Sequence, residues 1–166
     1  MREILFKAKR IDNGEWIIGN LVSSEDAEQG WETIIIPTFD SNMFTQGGEK
    51  EDLGVENWHR VDKSTVCQFT GLTDKNGNKI WENDIVQWED FDADEFISVI
   101  RYDEENARFV FDDYGIECYL MEDEWYENPS VFEKIATKGF DDFYAFGFEV
   151  IGNVFDNPEL LKTLGD

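Results

Sequence analysis

The chain has 166 residues, 41% of them hydrophobic and 15% aromatic, which is enough for a core without disulfide staples. Its 38 acidic and 14 basic side chains leave a formal net charge of −24. That charge argues against direct binding to nucleic acid or to anionic membranes, and leaves a basic protein partner, cations or plain solubility as its uses.

The excess is uneven. Met1–Glu89 carries 9 basic and 17 acidic residues, whereas Asp90–Asp166 carries 5 and 21. A basic partner is expected to meet the C-terminal half first. Cys67 and Cys118 are the only cysteines and His59 the only histidine, so neither a disulfide scaffold nor a zinc ribbon is expected. A reducing compartment follows. The opening lacks the apolar stretch of a secretory leader, and no run approaches the roughly 20 apolar residues that span a bilayer. The expected location is the cytoplasm.

Taken in order, "ILFKAKRIDNGEWIIGNLV" is a hairpin signal. Ile4, Phe6 and Ala8 alternate with Leu5, Lys7 and Lys9, and Asn13 and Gly14 can supply positive φ at the turn. Trp16–Val22 is the expected return strand. "WETIIIPTF" continues as strand, with three isoleucines branched at Cβ, until Pro37 ends it or marks an edge. Asp40–Asn57 is polar and glycine-bearing, and is expected as a long loop holding at most one short strand. Further strands are expected at Val66–Phe69, Ile85–Trp88, Phe96–Tyr102, Arg108–Phe111 and Gly115–Met121. Between the first two, Gly71 and Gly77 are expected to flank a turn with Asn76-Gly77 at its tip. Asp84 is expected to accept backbone N–H groups and hold the bend before the next strand.

Two short helices are expected near 129–138 and 158–164. Asn128 and Asn157 are the expected caps, each followed by proline at the first helical position. Between them "FYAFGFEVIGNVF" is expected as a strand central in its sheet. The predicted fold is mostly β with minor α: an N-terminal hairpin-based unit, 1–57, and a small SH3-like barrel, 58–166.

Four stretches resemble the YopX family, whose members are encoded mainly by phages and prophages. They are "FKAKRIDNGEWIIGNL", "VDKSTVCQFTGLTDKNGNKIWENDIV", "VIRYDEENARFVF" and "EVIGNVFDNPELL". Their order matches the family and covers nearly the whole chain. Ala8 stands where the family usually has glycine. The resemblance implies a mostly β protein with an SH3-like barrel in its later part, no established enzymatic activity, and no catalytic residues or cofactor to carry over. It also implies a bacterial host cytoplasm.

The candidate sites are few. Asp90, Asp92 and Asp94 alternate as in a cation loop, but the glycine and glutamate of an EF-type loop are missing, so a solvated acidic loop is expected, with weak, adventitious cation binding as the alternative. Glu122, Asp123, Glu124 and Glu127 surround Trp125 and Tyr126, which reads first as ordinary surface, next as a protein interface, and alternatively as a mimic of a phosphate backbone. Lys7, Lys9 and Arg10 form the one basic cluster and could pair with acids of another copy. Cys67 is expected as a buried thiol and His59 as a surface or partly packed residue. The predicted function is non-catalytic protein–protein contact, in a homo-oligomer or with a basic host protein. The alternatives are a DNA-mimicking inhibitor and a divalent-metal hydrolase.

Overall fold

A computed structural model describes residues 3–24, 33–39, 43–46, 52–89, 95–105, 107–112 and 149–164. The chain divides into two compact units, Met1–Phe69 and Thr70–Asp166.

In the first unit, β1 (Phe6–Lys9) pairs antiparallel with β2 (Trp16–Ser23), from Phe6↔Gly19 to Lys9↔Trp16. The turn between them closes by Arg10 N–H donating to the Glu15 carbonyl at 2.9 Å. Gly14 takes the positive φ, +74°. Asn13 does not share it: its side-chain oxygen accepts the Glu15 amide at 3.0 Å, which holds the turn by a side-chain bond instead. β3 (Thr33–Pro37) adds to β2 and ends at the proline. The two-residue β6 (His59–Arg60) adds to β3. On the other side, β1 pairs with the start of β7 (Cys67–Thr73). Residues 58–69 therefore belong with the N-terminal hairpin rather than with the later strands, because these two pairings tie them to β3 and β1.

Strand alternation then builds the core of this unit. Ala8, Ile35 and Val61 are buried, with Phe6, Ile17, Leu21 and Val66 packed around them. The stretch expected as one long loop contains a hairpin, β4 (Met43–Gln46) with β5 (Asp52–Val55). Strands of only four residues leave little periodic signal, so pairing rather than pattern reveals them.

In the second unit β7 runs on into a turn, Asp74–Asn78, and then β8 (Lys79–Trp81). A four-stranded antiparallel sheet follows in the order β11–β10–β9–β12. Its members are β9 (Asp84–Glu89), β10 (Glu95–Asp103), β11 (Arg108–Asp112) and β12 (Glu149–Asn153). One core cluster takes a side chain from each described strand of this unit: Leu72, Ile80, Val86, Ile100, Phe109 and Val150. Gly71 lies inside β7 rather than beside the turn, at φ +93°.

Three expectations need correction. β12 is not central: among the described residues it pairs only with β9, and all five of its residues are half-buried. The last helix is a 3-10 helix, Pro158–Leu164, and no α-helix forms among the described residues. Asn157 does not cap it with its side chain, which turns back to accept the Asn153 amide at 3.3 Å while its carbonyl accepts from Leu160. The helix expected at 129–138, its cap Asn128 and the strand Gly115–Met121 lie outside the described residues.

Candidate functional site

The end of β1, the turn after it and the segment after β6 enclose a shallow recess of about 530 Å³ in the first unit. Four cationic residues line it: Lys9, Arg10, Arg60 and Lys63. In a chain with 14 basic and 38 acidic side chains, that concentration sets this place apart.

Backbone bonds bring the four together. Ile11 N–H donates to the Arg60 carbonyl at 3.1 Å, and Asp62 N–H donates to the Lys9 carbonyl at 2.8 Å. Arg10 bridges to Val61. A 3-10 turn, Lys63–Thr65, starts at Asp62, whose Oδ1 accepts from the Ser64 amide at 3.0 Å and the Ser64 hydroxyl at 2.7 Å. Those two bonds hold the Asp62 carboxyl below its ordinary value. Thr65 Oγ1 donates to the Asp62 carbonyl and accepts the Lys9 amide at 2.9 Å. The amides at positions 9, 11 and 62 are thus already engaged, so any ligand here meets side chains.

Lys9 and Lys7 also lie over the Trp16 ring, 5.5 and 5.0 Å from its centre. Arg10 grips Asp12 with two parallel bonds, Nε to Oδ1 at 3.0 Å and Nη2 to Oδ2 at 2.5 Å. This grip holds the Asp12 carboxyl below its ordinary value.

The other singled-out residues fall elsewhere. Asn76 and Gly77 form the tip of the Asp74–Asn78 turn. Asp84 is buried, and its Oδ2 accepts the Trp81 amide at 2.8 Å. Cys67 is buried and donates weakly to the Thr65 carbonyl at 3.4 Å. His59 is half-buried and pairs with Ile35. Glu122, Asp123, Glu124, Trp125, Tyr126 and Glu127 lie outside the described residues, as do Asp90, Asp92 and Asp94. Among the described residues no three His, Cys, Asp or Glu side chains gather as a metal site.

Sequence reading found Lys9 and Arg10 but missed Arg60 and Lys63. Their only local mark is "HRVDK", two cations on either side of Val61-Asp62, in a strand too short to show a period.

Comparison with known proteins places the chain in a family and beside a solved structure. The family described as YopX protein matches residues 6–162. This chain belongs to the YopX family. Among solved structures, the crystal structure of protein EF1440 from Enterococcus faecalis shares the fold, with a TM-score of 0.53 at 20% identity. The likeness covers 97% of this chain and 99% of that one. No curated protein matches the sequence.

Proposed function

We propose that this YopX-family chain is a phage or prophage accessory protein that works by contact with another protein and catalyses nothing. The observation that carries this reading is the recess in the first unit, where Lys9, Arg10, Arg60 and Lys63 converge. Concentrated cations beside an aromatic ring suit an acidic protein segment, and they give both a fast encounter and a choice of partner. Within the second unit, the single cluster drawn from β7 to β12 supports reading these strands as a small SH3-like barrel, a scaffold on which such a surface can be carried.

The test is capture from a bacterial lysate by the immobilised chain, compared with the Lys9→Glu, Arg60→Glu double variant. Proteins retained by the wild type at low salt are expected to be lost from the variant, and lost from the wild type at high salt. Equal capture by both chains overturns the reading. Circular dichroism of the variant checks that it is folded.

A further inference from the structure

We infer that the recess takes carboxylate groups of an acidic peptide, and that Asp12 is a built-in competitor for its arginine. This deepens the protein-contact reading and rests on it. The argument begins with the two parallel bonds from Arg10 to Asp12, at 3.0 and 2.5 Å. This is the geometry in which arginine binds any carboxylate. The two partners are unequally held. The Arg10 side chain is 24% exposed and its amide is fixed to Glu15, whereas the Asp12 side chain is 62% exposed on a turn. An incoming carboxylate can therefore replace Asp12 without moving the arginine.

The remaining lining favours a ligand with several carboxylates over a single one. Lys9, Arg60 and Lys63 share the recess with Arg10, and Asp62 is the only acid among the described lining residues. Asp62 is itself committed to Ser64. A strand of glutamates would meet the arginine first and the other cations beside it. Glu15, just past the turn, accepts a bond from the Asn13 side chain at 2.7 Å.

Hexaglutamate is the probe, with binding followed by calorimetry at pH 7 and low ionic strength on the full chain. Asp12→Asn is expected to bind about two- to fivefold more tightly than the wild type, the range for removing one exposed ion pair. The gain is expected to vanish in the Arg10→Gln background, where no arginine is left to release. Glu104→Gln, which removes one exposed carboxylate from the second unit, is expected to change binding little. Lys9→Glu with Arg60→Glu is expected to lose at least about tenfold.

No binding of hexaglutamate to either the wild type or Asp12→Asn overturns the inference. So does an equal gain from Asp12→Asn with Arg10 absent, or from Glu104→Gln, because either marks a general charge effect. Displacement of the peptide by inorganic phosphate at equal concentration also overturns it, in favour of a phosphate site. If the peptide fails while charge reversal still abolishes lysate capture, this inference falls and the protein-contact reading stands.

Discussion

Two turns in this chain are written almost alike and used differently. "DNG" at Asp12–Gly14 and "DKNG" at Asp74–Gly77 each place an aspartate ahead of a glycine with positive φ, +74° and +83°. Asp12 is exposed and pairs directly with an arginine in contact with solvent. Asp74 is 6% exposed and accepts from the Asn76 and Asn78 amides, at 2.9 and 2.8 Å, and from the Asn78 side chain at 3.0 Å. It also accepts the Val150 amide at 3.2 Å, so one carboxylate ties the β7–β8 turn to β12. The same residue pattern gives an exchangeable ion pair in one unit and a buried tie in the other. Burial, rather than residue type, decides which.

The largest expected effect follows from that tie. Asp74→Ala leaves three partly buried amides without their acceptor and should destabilise the protein by about 3 kcal/mol, read as a lower urea midpoint. An unchanged midpoint would show that water serves these amides equally well. Acid should act on the same group. Burial raises the Asp74 carboxyl, but the bonds from Asn78, Val150 and Asn76 outweigh it and leave the value lowered. The unfolded state then binds the proton more readily. The contribution is present above about pH 4, the unfolded value, and is lost as pH falls through the lower folded value. In Asp74→Asn the decline in stability below pH 4 should be shallower.

A middle-sized effect tests what the two turns share. Neither Gly14 nor Gly77 has a neighbour within 4 Å of an added Cβ, so alanine meets only backbone strain there. Gly14→Ala and Gly77→Ala should each cost about 1 kcal/mol, from the left-handed backbone alone. Unequal costs in urea unfolding would show that the turns differ in backbone as well as in burial.

The turns were legible in the sequence because Asn-Gly is a local signal. The strands beside them were legible because Phe6 and Ala8, or Ile34 to Ile36, carry alternation and branching. What lay beyond reach depends on distant pairing. Arg60 joins Lys9 and Arg10 because β6 adds to β3 and the next residues bridge to the end of β1, and nothing in "HR" announces a strand. Hydrophobicity suggested a central β12, yet its place at the end of the sheet is set by which strand it pairs with. Asn157 had the composition of a cap, and the fold spends its side chain on Asn153 instead.

The smallest effect is expected at Asp12, where a charge argument alone would overstate the outcome. The Arg10 bond lowers the Asp12 carboxyl just as hydrogen bonding lowers Asp74. At Asp12 the group is open to solvent, so water and salt screen the pair and the unfolded chain solvates both charges nearly as well. Asp12→Ala should leave the urea midpoint unchanged within error. The pair of Lys75 with Glu149, 2.6 Å apart and about half exposed on both sides, is its equivalent in the second unit, and Glu149→Gln should be equally silent. A clear fall in stability from Asp12→Ala would mean that the first turn is also a structural tie. Asp12 could then not give way to an incoming carboxylate at little cost, and the contrast between the two turns would disappear.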